Sequence, residues 1–574
     1  MKIIIQQGIR KSSFQVWVTL FFFLVNLSNP LLASLPAMAK PGSHLNPIQR
    51  ENQMPGTRDW QLTDPAQEDG TVFHYPAIEG YTWASSVEAG NAIKFSVSTT
   101  AASFSAAIYR MGWYQGKGGR LIQSIAAIQG NTYPVPAPDP DTGLVQARWP
   151  LAFSLQTNAH WVSGMYMVKL TAANGQQSYI PFILRSSQAS AYAFIHAVNT
   201  DEAYNFWGGT SLYNDFTHAF KAQRAFKVSF DRPFEQDTGA GLFFWFEYPM
   251  VRWLEQHGYD VSYLADPDLQ NAPTLLQKYH ALLVVGHSEY WSKQMLATLE
   301  NAVNQGINLA VFGANNIYWQ IRYEASQNAG SQSLPDRVLV CYKDKALDPL
   351  YGKDNSVVTV KFRDDPLNNA EQSLLGSMWA GQWEPRKGSY PWIVADASNW
   401  IFAGTGLKNG DSLPGLIGYE YDKVDPTYFM PPGVVILSNS PVVNDINQQK
   451  DVSNSTLYTT ASGARVFNVG TFEWSWGLDS NFSVEKEWSP GSHAPYPGVV
   501  NKAAQKITAN ILQNFLRTGN TPLASRGSTF DVQKYVPYAI VLLGAFYLVF
   551  CYWIWRKVFA HAKRKHNPHK ERLI

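Results

Sequence analysis

Two short stretches concentrate the groups able to do chemistry: Gly286-His287-Ser288-Glu289-Tyr290-Trp291-Ser292 and Gly313-Ala314-Asn315-Asn316-Ile317-Tyr318-Trp319. Each places a Tyr-Trp pair shortly after a glycine that closes an apolar run, with polar side chains in between. The phenols of Tyr290 and Tyr318, joined by a carboxylate, make a hard anionic donor set. Hard oxygen donors suit a hard cation, and phenolates suit ferric iron in particular. A cation would also offset the cost of ionising a tyrosine, whose ordinary pKa is about 10. The plainer reading of the same residues is structural: Tyr-Trp pairs cap a sheet while His287 and Glu289 bond the backbone.

Other chemistries find less support. The chain carries no HExxH, Walker A, GxGxxG, CxxC or GxSxG pattern, and Ser288 stands in GHSEY. Cys341 lies in a loop-like run (VLVCYKDK), not in a strand-to-helix turn that would expose a nucleophile. The clusters Phe243-Phe244-Trp245-Phe246 and Trp474-Ser475-Trp476 have the surfaces to stack on sugar rings or to fill an aromatic core.

The elements around these stretches determine how they are held. From about 190 the chain alternates apolar runs with helical spacing. Tyr248 to His257 has helical periodicity and is followed by Gly258, while Val261 to Leu264 and Leu282 to Val285 read as strands. Lys293 to Asn304 is helical, Ile307 to Phe312 is a strand, and Ala503 to Arg517 is a closing helix. This β-α-β-α-β order predicts an α/β core with a parallel sheet covered by helices. In such a sheet ligands sit beyond the carboxyl ends of the strands, where both chemical stretches fall. Val434 to Leu437 and Val466 to Val469 read as further strands, and 340–430 as irregular. Between about 70 and 185, period-two runs such as Ile93 to Ser98 and Met165 to Leu170, separated by turns, predict a β-sandwich.

The ends differ from the body. Lys2, Arg10 and Lys11 precede an apolar run that finishes Ala37-Met38-Ala39, the form of a cleaved secretory signal. Tyr535 to Trp555 is 21 residues without a charge, edged by aromatics, which predicts a membrane-spanning helix. Arg556 to Ile574 holds 7 basic residues against 1 acidic, so the tail is expected in the cytoplasm and the body outside the plasma membrane. The whole chain is 574 residues with a net charge of +2. Without the first 39 residues (3 basic) and that tail, 36 basic and 43 acidic residues remain, a net of −7. An acidic body argues against nucleic acid as its partner. Aromatics at 14% and charges at only 16% exclude a disordered chain, and 2 cysteines, Cys341 and Cys551, exclude a disulfide scaffold.

Several motifs together resemble the C-terminal domain of the large (beta) subunit of N,N-dimethylformamidase. They are AYNFWGG (203–209), SFDRP (229–233), EYPMVRWLEQHGYDVSY (247–263), GHSEYWS, GANNIYWQIRYE (313–324), LIGYEYDKVD (416–425) and GTFEWSWGLD (470–479). IEGYTWASSVEAG (78–90) and IYRMGWYQGKGGR (108–120) are similar to the β-domain that precedes it in bacterial relatives. The resemblance implies an α/β core like the class I glutamine-amidotransferase fold. It implies hydrolysis of an amide C–N bond at a mononuclear ferric ion held by two tyrosines and a glutamate, matched by motif to Tyr290, Tyr318 and Glu420. It further implies Glu289 or His287 as a base or as a partner of the metal ligands, and Asn315 and Asn316 as donors to a developing oxyanion. The expected organisation is a signal peptide (1–39), lead-in (40–69), β-sandwich-like domain (70–187), dimethylformamidase-like α/β domain (188–520), linker (521–534), transmembrane helix (535–555) and basic tail (556–574). The expected partners are the cell membrane and a small amide or envelope polysaccharide. The competing expectation is a non-catalytic envelope polysaccharide-binding or scaffold protein.

Overall fold

The chain packs strands first, and helices fill in around them. A computed structural model describes residues 45–218, 223–327, 332–383, 389–479 and 500–517. The expected signal peptide, linker, membrane span and tail lie outside the described residues.

Eight strands come before residue 190: β1 (Ile78–Thr82), β2 (Ser86–Glu88), β3 (Ala92–Thr99), β4 (Ser103–Met111), β5 (Gly119–Gln129), β6 (Phe153–Gln156), β7 (Gly164–Ala172) and β8 (Gln177–Arg185). They form a three-stranded sheet, β1-β3-β6, and a five-stranded sheet, β2-β8-β7-β4-β5. The inner faces share one core, in which Phe95, Phe104, Phe153, Val168, Ile180 and Phe182 are buried. Apolar side chains alternate with polar ones at β6 and at the start of β4, as a half-buried sheet requires.

The second part is built on a seven-stranded sheet in the order β11-β9-β12-β14-β23-β22-β21. Its strands are β9 (Tyr192–His196), β11 (Val261–Ala265), β12 (Ala281–Gly286), β14 (Asn308–Gly313), β21 (Val435–Asn444), β22 (Gln449–Thr459) and β23 (Arg465–Asn468). The five from β11 to β23 run parallel, and β22 and β21 continue antiparallel. β9, β12 and β14 are buried along their whole length because both faces are covered. Helix Lys293–Asn304 lays Met295, Leu296, Leu299, Ala302 and Val303 on one side, and Ser292 caps its start by accepting from the Met295 N–H at 3.0 Å. Helix Lys502–Phe515 covers the sheet with Ile507, Ile511, Leu512 and Phe515.

The expected α/β core of the glutamine-amidotransferase type is corrected by the balance of elements. Among the described residues strand outweighs helix, 36% to 19%, and the strands form six sheets. The alternation that suggested helix-covered parallel units spans only Tyr248 to Gly313. Beyond it the chain mostly pairs as antiparallel hairpins before β23 rejoins the parallel set. A four-stranded sheet, β10-β16-β15-β13, flanks the main sheet through β10 (Lys227–Ser229), β13 (Tyr290–Ser292), β15 (Trp319–Gln327) and β16 (Ser333–Val340). The stretch expected to be irregular holds two ribbons, β17 (Met378–Trp383) with β20 (Tyr419–Lys423) and β18 (Tyr390–Ile393) with β19 (Ser412–Ile417). The fold class also included a transmembrane helix; among the described residues no helix is long and apolar enough to cross a membrane.

A buried ion pair joins the sandwich to the second part. Arg110 at the end of β4 is fully buried and bonds Glu255 through both guanidinium nitrogens, at 2.7 and 2.9 Å. Tyr263 on β11 donates to the same carboxylate at 2.9 Å.

Candidate functional site

Register brings the two chemical stretches side by side. β12 and β14 pair in parallel so that Gly286 faces Gly313. Both positions require glycine: a Cβ on Gly313 would stand 2.1 Å from the Gly286 carbonyl oxygen, and one on Gly286 2.3 Å from Phe246 Cβ. The loops after these strands are laced together. Ile317 and Tyr318 donate backbone N–H groups to the carbonyls of Ser288 and Glu289, each at 2.9 Å. The Asn316 side chain accepts from the Ser288 N–H at 2.8 Å and donates to the Ala314 carbonyl at 3.0 Å. Asn316 thereby ties the two loops together.

A third strand end supplies what the two stretches lack. β9 lies beside β12, and the short helix Val198–Ala203 starts just after it. Thr200 of that helix accepts from the Glu289 N–H at 2.9 Å, and Asn199 donates to the Tyr290 carbonyl at 2.9 Å. Tyr204, at its end, donates its hydroxyl to Glu289 Oε2 at 3.0 Å. Tyr213 donates to the same carboxylate, 3.0 Å from both oxygens, and its ring stacks on Tyr204 with centroids 4.2 Å apart. Two phenols and one buried carboxylate thus converge. His287 Nε2 completes the group, 3.1 Å from Glu289 Oε2.

The expected residues take graded places around this centre. Glu420 on β20 lies 3.8 Å from His287 Nε2 and accepts from Asn315 Nδ2 at 2.6 Å. Asn315 is itself pinned in the left-handed region (φ 51°) by its N–H, which donates to Asp422 at 2.9 Å. Its Oδ1 is buried without a hydrogen-bond partner among the described residues. Tyr290 donates to the Tyr213 hydroxyl at 2.6 Å, one step from Glu289. Tyr318 is buried against Trp319 and Trp379, with Arg363 and Lys361 over its ring. Tyr290, Tyr318 and Glu420 are not hydrogen-bonded to one another among the described residues. In this cluster the tyrosines that hydrogen-bond a glutamate are Tyr204 and Tyr213.

Charge within the cluster is divided unevenly. Burial opposes the charged forms of both His287 and Glu289, but their mutual bond and attraction win. The imidazole is pushed up and the carboxyl down, leaving an ion pair. Burial, reinforced by the negative charge of Glu289, pushes Glu420 up to about 7 although His287 pulls the other way. Burial and Glu289 likewise push the phenols of Tyr204, Tyr213 and Tyr290 up, so without a cation they stay protonated. Two carboxyls side by side, one ionised and one titrating near neutrality, make a base and an acid available in one place. No group of three or more His, Cys, Asp or Glu side chains is arranged to hold a metal among the described residues, so a metal here would need the tyrosines.

The family model described as N,N-dimethylformamidase beta subunit-like, C-terminal, matches residues 105–487. The chain belongs to this family. The match takes in β4 to β8 of the sandwich as well as the main sheet and every residue of the cluster. No curated protein matches the chain. The aromatic runs considered for sugar stacking are core: Phe243, Phe244, Trp245, Phe246, Trp474 and Trp476 are all buried. Tyr204 and Tyr213 do not stand out in the sequence, although Tyr204 sits in AYNFWGG. A usable signal was present, since two tyrosines come after the end of a third apolar strand.

Proposed function

We propose that the protein is a hydrolase that cleaves an amide C–N bond at the cluster of Tyr204, Tyr213, Glu289 and His287. The observation that carries this reading is the convergence of two partly buried phenol hydroxyls on one buried carboxylate, in a member of the dimethylformamidase-like family. It has the same make-up, two tyrosines and one glutamate, as the ferric donor set the family resemblance implies, which by motif falls on Tyr290, Tyr318 and Glu420. The residues fit such an ion chemically. All three donors are hard oxygens, and the phenols carry a burial cost for ionising that a trivalent cation would offset. In this assignment Tyr204, Tyr213 and Glu289 would hold the ion, with Tyr290 bonding one ligand and His287 another. The ion would supply Lewis acidity toward an amide carbonyl.

The chain's own residues account for the proton movements. Glu420, titrating at about 7 and 3.8 Å from His287, is placed to hand a proton to the departing amine. His287, protonated and paired with Glu289, orients that carboxylate and can pass its own proton to Glu420 once Glu420 has given one up. Asn315, already bonded to Glu420, keeps its carboxyl turned toward His287.

The test is metal analysis and visible spectroscopy of the purified protein, with a panel of small amides scored by amine release. Stoichiometric iron with a phenolate absorption band is expected, lost in Tyr213→Phe and kept in Tyr318→Phe. A colourless, iron-free protein that releases no amine would overturn the reading. Loss of the band in Tyr318→Phe alone would return the metal to Tyr290, Tyr318 and Glu420.

A further inference from the structure

One side of the cluster is cationic, and the cations are stacked on aromatic rings. The Lys343 ammonium lies 3.3 Å from the centroid of Tyr213, 5.0 Å from Trp319 and 5.3 Å from Tyr290. Lys361 lies 5.3 Å from Tyr318 and 5.7 Å from Trp319. Arg363 lies 5.0 Å from Tyr318. The arrangement is fixed by backbone. Gln320 and Phe362 bond the carbonyls of Val360 and Tyr318, each at 2.9 Å, so Lys361 is held opposite Trp319. Lys343, Trp319, Lys361, Arg363 and Trp379 are only partly buried, so the strip has a solvent side.

Like charges gathered this closely repel, and each ammonium gains only about 0.5–2 kcal/mol from a ring face. Glu289 attracts Lys343 without forming an ion pair with it, and the other nearby carboxylates are engaged elsewhere. Glu371 is taken by Arg363, Asp365 by Lys345 and Asp348 by Arg322. Among the described residues neither Lys343 nor Lys361 has a carboxylate within ion-pair distance. Two unpaired lysines over an aromatic floor, beside a cluster able to cleave an amide, leave room for an anion to complete the charge balance.

We infer that this strip is the anion-binding wall of the substrate site and that the substrate is an amide bearing a carboxylate. The carboxylate pairs with Lys361 and Lys343 while the amide reaches Glu289 and His287; flat or apolar parts of the molecule rest on Trp319 and Trp379. This substrate class rests on the amide-hydrolase reading for the bond that is cut, but the wall recognises its anion with or without cleavage.

The test is calorimetric binding of N-acetylglycine and of its neutral counterpart N-acetylglycinamide to the purified full-length protein. The acid is expected to bind at least tenfold tighter at low salt. Lys361→Met removes that advantage without weakening the neutral probe, Lys361→Arg keeps it, and high salt erodes it. Equal affinity for the two probes, no binding of the acid, or an undiminished preference in Lys361→Met overturns the inference. Amine release is scored separately. Selective binding of an acid that is never cleaved sinks the hydrolase reading and leaves the wall standing; equal binding and equal cleavage of both probes does the reverse.

Discussion

His196 provides the sharpest test of how the site is held. It ends β9, immediately before the helix that carries Thr200 and precedes Tyr204. Its Nδ1 is 2.9 Å from Glu247 Oε2 and its Nε2 is 3.7 Å from Asp201 Oδ2, so both ring nitrogens face carboxylates. Glu247 in turn accepts from the Ala197 N–H at 2.9 Å, and Asp201 from the Leu242 N–H at 3.1 Å. Burial works against the imidazolium, yet Glu247 and then Asp201 overcome it and raise His196 from 6.5 to about 9. At 1.36 kcal/mol for each tenfold in proton affinity, the rise is worth about 3 kcal/mol. Because the folded value lies above the unfolded one, this stability is fully present below pH 6.5 and is lost as pH climbs through 9. Other groups titrate in the same window; burial lifts Asp201 itself to about 7. The informative quantity is therefore the difference between wild type and His196→Gln, whose amide stays neutral throughout. That difference should shrink by about 3 kcal/mol between about pH 6 and pH 10, read as converging unfolding midpoints in urea or converging Tm. A gap that is the same at both pH values would refute the buried imidazolium, and with it the account of how the helix after β9 is fixed.

The remaining predictions concern other joints. Glu255→Gln strands the buried Arg110 guanidinium and should cost about 3–5 kcal/mol, seen as a large fall in Tm, whereas Arg110→Met with Glu255→Leu should recover much of it. Gly313→Ala puts a methyl 2.1 Å from the Gly286 carbonyl and should uncouple the two loops; amine release should fall with little change in overall secondary structure by circular dichroism. Glu420→Gln cannot titrate, so the limb of the rate profile near pH 7 should flatten while iron content is unchanged. Glu289→Gln removes the charge that holds His287 protonated; the His287 pKa, followed by NMR, should drop toward or below 6.5.

Much of the fold was legible because its signals are local. β12 and β14 are short apolar runs closed by glycine, and helix Lys293–Asn304 shows its stripe and its end in sequence. Helix Lys502–Phe515 begins at Asn501, whose side chain caps Ala503 and Ala504. The parts that escaped were decided by distant pairing. β18 (YPWI) and β19 (SLPGLI) each contain a proline and lack clean alternation, yet Trp392 pairs with Leu413 because both are buried in the same core. β17 opposes β20 across a long intervening stretch, with a register shift between Trp379 and Gly381. No window of sequence contains that information, so 340–430, expected to be irregular, holds paired strands instead.

The site was legible to the extent that one rule was applied, and incomplete where it was not applied everywhere. The principle that ligands gather beyond the carboxyl ends of parallel strands drew attention to the segments after β12 and β14, and from them to His287, Glu289, Tyr290, Asn315, Asn316 and Tyr318. β9 is the neighbour of β12 in the same sheet, running in the same direction, and its apolar run is visible in the sequence. The same principle therefore extends to the segment beyond β9. At or soon after the end of that strand lie His196, Asp201, Tyr204 and Tyr213, which supply the hydroxyls on Glu289 and the charges that steady their helix. Residue type alone could not separate Tyr204 and Tyr213 from Tyr290 and Tyr318, since all four are phenols at least partly buried around the site. Only pairing order does so. Tyr290 begins β13 and Tyr318 directly precedes β15, in a second sheet, and Tyr290 reaches Glu289 through the Tyr213 hydroxyl, whereas Tyr204 and Tyr213, which follow β9, bond Glu289 directly.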